Sequence, residues 1–493
     1  MPFRDDEVDF APLIRWVRRR DPVRWILGGM VVVWGVTFVA LGWLRHSRFT
    51  TYGFDLGIFD QGIWLLSRFH SFVTVRGLPV FGNHANVILL AFVPFYWLGA
   101  GPGLLLVVQV AAQASGAVAV YLLGRDRFGD RWLALLPAAA LLLNPTYQFL
   151  TWEFFHPDAL AAAALLFAVW AGQAERWRWF VVAAVVAVLC KEDVALAVAG
   201  LGVLLWIRGN RKVGIVTVAA CLGWYAVATR LLIPWALGGH APFYESWFPE
   251  LGRNAAGVLR TAVTRPGLVL HVASRPDRIS YYRMMLLPVA MLALAAPAPL
   301  LLLAGPTVAV NALTVATFAR DYRYHYSALV VAGLVVAAIE AIARYGRTAA
   351  ARRFLSGSLA ALALATSVAW GPSPVSAKYR SGIWPLAAGT LGDAKRRAVT
   401  VVPATAVVSA SYSFVPHLSH RRWIYQFPEP WYAVAWGIGG KGLPDAGRVQ
   451  WLVVDRRNLL FDRERQLFDR LLATEFAVRS ERDGVVVAQR SRS

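Results

Sequence analysis

Residues 51–64 read TYGFDLGIFDQGIW and bring two carboxylates, Asp55 and Asp60, shortly after the first apolar run of the chain, residues 25–44. That run has twenty residues, and at about 1.5 Å per residue it spans about 30 Å, the hydrocarbon thickness of a bilayer. The two carboxylates are therefore expected at the edge of a membrane. Aromatic residues and glycines flank them, and Asn83 and His84 follow. This pattern indicates a reaction centre at that edge.

The composition excludes a soluble protein. Of the 493 residues, 57% are hydrophobic and only 16% are charged, which is typical of a polytopic membrane protein. The net charge of +21 comes mostly from arginines in short segments between apolar runs, where they act as topology signals rather than as a nucleic-acid surface. Cys190 and Cys221 lie within apolar runs, so neither a disulfide framework nor a zinc-ligand spacing is present. The abundance of Ala, Arg and Trp favours a bacterial source.

The apolar runs predict eleven membrane spans. Arginines crowd residues 1–24, and the positive-inside rule therefore places this amino-terminal segment in the cytoplasm. Within the long outer segment that follows the first span, residues 54–69 predict an amphipathic interfacial helix, and residues 87–98 a short re-entrant or interfacial one. The predicted spans are residues 25–44, 104–123, 132–150, 159–174, 179–190, 194–207, 213–235, 281–296, 298–316, 327–343 and 354–370.

Three consecutive charged residues, Lys191, Glu192 and Asp193, interrupt the apolar run of residues 179–207. One long helix would put these charges at the centre of the bilayer and the arginines after the run outside the cell. Two short helices keep every flanking arginine inside. The turn between them would then lie below the outer surface, where charges are tolerated only in a polar cavity enclosed by protein.

The composition changes after residue 370. Prolines punctuate a linker, and residues 371–493 predict an extracytoplasmic α/β domain, with strands at 406–409 and 451–455, a helix at 464–472 and a hairpin at 476–489 that turns at Asp483 and Gly484. Residues 25–370 form the transmembrane domain. The outer loop of about 45 residues between the spans that end at 235 and begin at 281 is too long for a mere connector, which indicates a function.

The concentrated acidic, histidine and tyrosine groups all fall on the predicted outer side, whereas the cytoplasmic loops hold little beyond arginines. For an isolated carboxylate, a solvated loop charge or a helix cap is the simpler interpretation. That interpretation weakens here because several separate turns bring charges to one depth. For Asp55 we predict a general base, since a carboxylate in a partly dehydrated crevice can take a proton from a hydroxyl. For Asp60 a structural role is favoured, as a helix cap or a partner of Arg68.

Two further groups of residues have the chemistry of metal and phosphate binding. Glu153, His156 and Asp158 offer the oxygen and nitrogen ligands of a divalent metal site, although no three-ligand spacing proves one and His156 can instead cap the following helix. Lys191 is the cation best placed to meet a lipid phosphate, with an ion pair to Glu192 or Asp193 as the alternative. Arg320, Arg323 and His325 predict a second phosphate cradle, with a segment of tyrosines at interfacial depth as the alternative.

The ordered motifs DLGIFDQGIW, NH, FFHPD, KED, RYHY and VSASYSFVPHLSHRRWIYQFP cover nearly the whole chain. Together they resemble a family of bacterial polytopic membrane proteins catalogued as a domain of unknown function. That family in turn resembles the GT-C superfamily of polyprenyl-phosphate-sugar-dependent glycosyltransferases, which includes protein O-mannosyltransferases and aminoarabinose transferases. The resemblance implies a GT-C-like helical membrane fold with interfacial helices in the first outer loop.

The resemblance also implies roles for individual residues. An acidic residue of the first outer loop acts as base in those enzymes, which matches Asp55. Asp158 resembles an Asp at the top of the fourth span that organises the site, often with a metal, and Lys191 resembles a Lys that contacts the donor phosphate. The chain departs from the mannosyltransferase pattern in the Leu-Gly-Ile-Phe after Asp55 and in His84, which stands where those enzymes have a His-Pro or Lys-Pro element.

These observations predict an inverting glycosyltransferase that moves a sugar from a polyprenyl-phosphate donor to a cell-envelope glycan, lipid or protein. Asp60, His84, Glu192 and Asp193 are predicted to support the site or bind the acceptor. A divalent metal ion is the only cofactor indicated, membrane lipids are the expected surroundings, and no nucleic acid is expected. The alternative is a transporter or flippase of lipid-linked sugars, which would carry charges through the full membrane depth and on both faces.

Overall fold

The structure is a computed structural model that describes residues 21–240, 243–252, 255–386, 390–434, 436–437 and 442–491. Of the predicted amino-terminal segment, residues 1–20 lie outside the described residues. The described α-helices of eight or more residues are α1 Pro22–Ser47, α2 Ile58–Leu66, α3 Pro102–Phe128, α4 Leu135–Leu143, α5 Pro145–Trp152, α6 Pro157–Gln173, α7 Trp177–Cys190, α8 Val194–Ile207, α9 Arg211–Val227, α10 Ala255–Thr264, α11 Pro266–Ala273, α12 Pro276–Leu286, α13 Gly305–Leu313, α14 Ala328–Tyr345, α15 Ala349–Trp370, α16 Thr390–Val401 and α17 Asp462–Thr474.

Five helical segments in the described part are long and apolar enough to cross a membrane. They are Pro22–Ser47, Pro102–Phe128, Arg211–Ala236, His325–Tyr345 and Ala349–Trp370. Five shorter apolar segments accompany them, among them Val87–Trp97, the segment predicted to be interfacial or re-entrant. The chain is a multi-pass membrane protein. The count of eleven spans and the orientation of the chain stay predictions.

Two predicted spans are not continuous helices. Residues 132–150 are divided between α4 and α5 at Asn144, which precedes a proline and caps α5 by accepting a hydrogen bond from Tyr147 N. Residues 281–296 are divided after α12, where Ala290 and Met291 both have positive φ. Proline supplies no backbone N–H, and a left-handed residue turns the chain out of the helical path. The predicted break at residues 191–193 is confirmed, because α7 ends at Cys190 and α8 begins at Val194.

The carboxyl-terminal part forms a five-stranded sheet of β3 Val408–Ala410, β4 Ile424–Gln426, β5 Trp451–Asp455, β6 Phe476–Arg482 and β7 Val485–Arg490, with a separate two-stranded hairpin, β1 Phe72–Val73 and β2 Leu78–Pro79, in the first loop. The sheet order is β4-β3-β5-β7-β6. The three strands β4, β3 and β5 are parallel, and β6 and β7 form an antiparallel hairpin. The chain therefore leaves β3 and β5 at the same edge of the sheet, next to the loop after α1.

Four helices define two ends of the membrane domain. Helices α3, α6 and α14 pack against one another, and α8 packs against α6. All four begin at the end that carries Asp55, which we call the Asp55 end. Their carboxyl ends carry Arg127, Gln173, Arg208 and Arg344, and we call this opposite side the Arg127 end. A polar group near the first residue of any of these helices therefore lies at the Asp55 end.

Candidate active site

Asp55 occupies a strained turn. The five residues Gly53–Gly57 form one turn of wide helix, within which Asp55 has φ 70° and ψ −92°. An L-residue held in such a region costs about 1 to 3 kcal/mol, and surrounding structure must hold it there. Backbone conformations of this kind occur most often where function fixes the direction of a side chain.

The carboxyl-terminal domain supplies that support. Gly53 N donates a hydrogen bond of 2.8 Å to the carbonyl of Tyr412. The two glycines that border the turn lie against Val415: a Cβ built on Gly53 would be 2.8 Å from the Val415 Cβ, and one on Gly57 would be 2.9 Å from the Val415 Cγ1. Only glycine allows this close approach. The turn that carries Asp55 is thus held between the membrane domain and the carboxyl-terminal domain.

We expect the substitution Gly57→Ala to lower the free energy of unfolding by about 1 to 3 kcal/mol, because the added methyl overpacks the contact with Val415. Val415→Ala removes the Cγ1 atom that would clash, so the double variant is expected to regain much of the loss. Thermal unfolding of the purified protein measures both. Gly28→Ala is the matched control, since a Cβ at Gly28 meets nothing within 4 Å. Losses that simply add in the double variant would contradict the packing argument.

His156 contacts the Asp55 carboxylate, and two further residues extend this contact. His156 Nε2 lies 3.2 Å from Asp55 Oδ1. The rings of His156 and His325 stack with their centroids 3.7 Å apart. His325 Nδ1 in turn lies 2.8 Å from Glu153 Oε1. The side chains of His156 and Glu153 are each about 5% exposed, whereas the Asp55 side chain is 29% exposed. Asp55 is therefore the member of this group that a substrate can reach.

The pKa values of the Asp55 and Glu153 carboxyl groups shift in opposite directions because their neighbours differ. Burial alone would raise the pKa of Asp55, but the charge of His156, with those of His325 and Arg76, holds it below its usual value. Burial raises the pKa of Glu153 well above its usual value, and the neighbouring Asp55 adds to that rise. The surroundings of Asp55 thus favour its ionised form, whereas those of Glu153 disfavour the charged form.

Glu153, His156 and His325 have the geometry of a metal-ligand set. One ligand atom from each lies within 4.8 Å of the others. Glu153 Oε2 and His156 Nδ1 are buried and have no hydrogen-bond partner among the described residues. Buried polar atoms without partners are costly, and a cation would satisfy them. The predicted set contained Asp158 instead of His325, but the Asp158 carboxylate lies against Lys191.

Lys191 forms the second part of the site. Its Nζ is 3.2 Å from Asp158 Oδ1 and 3.5 Å from Asp193 Oδ2. It also lies 5.8 Å from the ring centroid of Tyr326. The ion pair to Asp193 was one of the alternatives weighed for Lys191, and the structure adds Asp158 as its closer partner. The Lys191 side chain is only 8% exposed, so its charge acts in a poorly hydrated region.

Glu192, the remaining residue of the charged turn at 191–193, faces the first loop. Glu192 Oε1 lies 2.8 Å from His84 Nδ1, and Glu192 Oε2 accepts a hydrogen bond of 3.0 Å from Ala85 N. The predicted motifs around Asp55, His84, Glu153 and Lys191 therefore come together at one end of the helices. We call the group formed by these contacts the Asp55 cluster: Asp55, His84, Glu153, His156, Asp158, Lys191, Glu192, Asp193 and His325.

Asp60 lies outside this cluster and joins the two domains. Its fully buried carboxylate accepts hydrogen bonds from Tyr96 Oη, at 2.6 Å, and from Ser419 Oγ. His420 Nε2 lies 3.1 Å from it. The structural role favoured for Asp60 agrees with this placement, but the partner is not Arg68, which instead donates to Trp64 O and Ser67 Oγ.

Arg320 and Arg323 have partners of their own. The Arg320 guanidinium lies 3.0 Å from Asp277 and donates to the carbonyls of Asn311 and Thr314. Arg323 forms a two-pronged pair with Asp321. Of the predicted second phosphate cradle, the structure thus brings only His325 into contact with the Asp55 cluster.

Two residues near the site were not predicted from the sequence. Arg76 lies with its guanidinium 4.9 Å from the ring centroid of Phe54, and its charge helps to lower the pKa of Asp55. Tyr326 packs on His325 with ring centroids 4.1 Å apart and faces Lys191. Tyr326 belongs to the RYHY motif, so its sequence signal was present, whereas nothing around Arg76 distinguishes it from other arginines.

Comparisons with known proteins give one family and several solved structures. A family model described as "Predicted membrane protein (DUF2079)" matches residues 45–487. No curated protein matches significantly. The structure of ArnT from Cupriavidus metallidurans bound to undecaprenyl phosphate is similar at 16% identity and a TM-score of 0.48, covering 94% of this chain and 98% of that one. The apo oligosaccharyltransferase of Archaeoglobus fulgidus is similar at 14% identity and a TM-score of 0.41, covering 87% and 70%.

Proposed function

The chain belongs to the DUF2079 family of predicted membrane proteins, and from its site we propose that it is an inverting GT-C-type glycosyltransferase. It would move a sugar from a polyprenyl-phosphate donor to a glycan, lipid or protein of the cell envelope. The Asp55 end would face outward from the bacterial plasma membrane, with the amino terminus in the cytoplasm and the carboxyl-terminal domain outside.

One observation carries this proposal: a partly exposed Asp55, whose neighbours favour its charged form, and a buried Lys191 lie in one cluster at the end of apolar helices. A lipid-linked donor has its reacting bond at this depth, between the hydrocarbon and the water. The transfer needs a base for the acceptor hydroxyl and a positive charge for the departing phosphate. The cluster contains both, and the ordered sequence motifs resemble those of enzymes with this chemistry.

In the proposed reaction, Asp55 accepts the proton of the acceptor hydroxyl. The hydroxyl oxygen forms a bond to the anomeric carbon from the face opposite the phosphate. The bond between that carbon and the phosphate oxygen breaks, and its electron pair leaves with the polyprenyl phosphate. His156 holds the Asp55 carboxylate in place, and the turn fixed by Val415 fixes its direction. This fixed geometry lowers the entropy cost of reaching the transition state.

Lys191 would stabilise the negative charge that develops on the leaving phosphate. A cation acts more strongly in a site from which water is largely excluded, and Lys191 is nearly buried. Asp158 and Asp193 hold the ammonium in position. His84 and Glu192, which lie together at the edge of the first loop, would contribute to binding the acceptor.

We further propose that Glu153, His156 and His325 hold a divalent metal ion, because they are ligand types that zinc prefers. In addition, Glu153 Oε2 and His156 Nδ1 are buried without a hydrogen-bond partner among the described residues. A cation bound there would supply positive charge beside the reacting phosphate. His325 takes the place that the sequence prediction gave to Asp158.

Purified protein freed of metal is therefore expected to bind one zinc ion. The substitution His325→Ala is expected to weaken zinc binding at least about tenfold, because loss of a residue that only hydrogen-bonds a metal ligand already lowers metal affinity about 10- to 100-fold. Metal content and calorimetric titration measure the effect. His70→Ala is the control, because His70 is an exposed histidine outside the Asp55 cluster. Zinc binding by the His325 variant as tight as that of the original protein would contradict the proposed ligand set.

The function is tested by incubating the purified protein with a panel of undecaprenyl-phosphate sugars and a cell-envelope extract. Undecaprenyl phosphate is chosen as the carrier because it is the ligand in the Cupriavidus metallidurans ArnT structure. The expected result is release of free undecaprenyl phosphate together with a glycosylated product. Binding of donors without any release would overturn the proposal, and movement of labelled donor across liposomes without product would favour the transporter alternative.

A further inference from the structure

A polar cavity lies at the Arg127 end, on the far side of the membrane domain from Asp55. It has a volume of about 230 Å³ and is formed where α3, α6 and α8 end. Helix α6 has 17 residues, so at about 1.5 Å per residue it separates the cavity from the Asp55 cluster by about 25 Å. The residues that matter for the argument are Asp126, Arg127, Gln173, Glu175 and Arg208.

Two arginines supply hydrogen-bond donors to this cavity. Arg127 Nη2 lies 2.5 Å from one oxygen of Glu340, and Arg208 Nη2 lies 3.0 Å from the other. One carboxylate thus neutralises one of the two positive charges. A guanidinium has five N–H donors, and among the described residues each of these two is engaged only by Glu340. The pair therefore retains a positive charge and donors suited to the oxygens of a phosphate.

The same cavity also contains oxygen acceptors that the described residues leave wholly or partly unpaired. Gln173 Oε1 is buried without a hydrogen-bond partner among the described residues. Glu175 accepts only one long hydrogen bond of 3.3 Å, from Asn210. The other acidic group of the cavity, Asp126, is already occupied by Arg125 and by the Trp170 Nε1. Gln173 and Glu175 thus remain to bind a group with several N–H donors and a positive charge.

A ligand that satisfies both sets carries an anion and an ammonium close together. The cavity is smaller than the roughly 300 to 1,000 Å³ of sites for drug-sized ligands, so it fits a headgroup rather than a whole lipid. Its position at the end of apolar helices places it at the depth of phospholipid headgroups. A choline headgroup has no N–H to donate, and a glycerol headgroup has no positive charge.

We propose that this cavity binds the phosphoethanolamine headgroup of a phospholipid, with the phosphate at Arg127 and Arg208 and the ammonium at Gln173 and Glu175. This assignment is independent of the function proposed for the Asp55 end. It makes the lipid a bound component at the membrane surface opposite the reaction.

Native mass spectrometry of the purified full chain tests the assignment. The protein is supplied with phosphatidylethanolamine, phosphatidylglycerol and phosphatidylcholine of identical acyl chains. We expect phosphatidylethanolamine to be retained at least about tenfold more than the other two. Arg208→Gln is expected to lower its retention about tenfold, and it leaves the pair of Arg127 with Glu340 in place. Glu175→Gln is expected to reduce the preference for phosphatidylethanolamine over phosphatidylcholine.

Arg178→Gln is the matched control, because Arg178 is an exposed arginine at the same end that does not line the cavity. Soluble glycerophosphoethanolamine tests whether the ligand is a lipid or a free phosphoethanolamine compound. It is expected to bind at least about tenfold more weakly than phosphatidylethanolamine. Equal retention of the three lipids, a preference for phosphatidylglycerol, or equally tight binding of the soluble compound would overturn the assignment.

Discussion

Replacing Asp55 with asparagine is expected to lower the rate of sugar transfer by about 100- to 10,000-fold, the usual contribution of a general base. Asparagine has nearly the same shape and still accepts a hydrogen bond from His156, so the turn should keep its conformation. It cannot take the proton of the acceptor hydroxyl. Release of undecaprenyl phosphate from the donor, with and without acceptor, measures the loss, and thermal unfolding of the variant shows that the fold is retained.

The control for this variant is Asp321→Asn, which removes a carboxylate two residues before the RYHY motif. This carboxylate pairs only with Arg323 among the described side chains. It is expected to leave transfer within about twofold of the original protein, since a partly exposed ion pair contributes little. An Asp55→Asn variant with full activity would remove Asp55 as the base. Equal losses in both variants would indicate damage to the fold and not to the chemistry.

Replacing Lys191 with methionine is expected to have the second large effect, through two separable causes. It removes the cation for the departing phosphate, for which a loss of about 100- to 1,000-fold in rate is typical of a single electrostatic contact. It also leaves the nearly buried Asp158 carboxylate without its closest partner, which costs about 3 to 5 kcal/mol of stability. Both transfer and the unfolding temperature should therefore fall.

The double variant Lys191→Met with Asp158→Asn separates these causes. It no longer leaves the Asp158 carboxylate unpaired, so its unfolding temperature should recover in large part, while transfer should stay at least about 100-fold reduced. Lys395→Met is the matched control, because Lys395 forms an equally buried pair with Asp455, at 3.1 Å, in the carboxyl-terminal domain. It is expected to lower stability without lowering transfer by the folded protein. Recovery of transfer in the double variant would exclude a direct role for Lys191 at the phosphate.

Much of the architecture could be predicted because its signals are local. The apolar run before Asp55 predicted α1, and the charges at Lys191, Glu192 and Asp193 predicted the break between α7 and α8. The predicted strand 451–455 and the turn at Asp483 and Gly484 also match the sheet. The breaks within residues 132–150 and 281–296 were missed, because apolar composition persists through a helix break and hydropathy does not register it.

The sequence by itself determined that this is a multi-pass membrane protein and that the motifs carrying Asp55, His84, Glu153 and Lys191 meet at one end of its helices. The length of an apolar run and the charges that flank it depend only on neighbouring residues. Because apolar runs lie in the hydrocarbon and charges lie outside it, these local features predict the depth of each residue in the membrane. Depth alone placed these groups at a common level.

Only the tertiary structure decided which of these groups touch. Glu153 contacts His325, 172 positions along the chain, and not its neighbour Asp158. Asp60 contacts His420, 360 positions away, and not Arg68. The rotation of each helix about its own axis and the docking of the carboxyl-terminal domain on Gly53 and Gly57 set these pairs. Contacts of about 3 Å depend on packing between distant segments, and no local pattern records that packing.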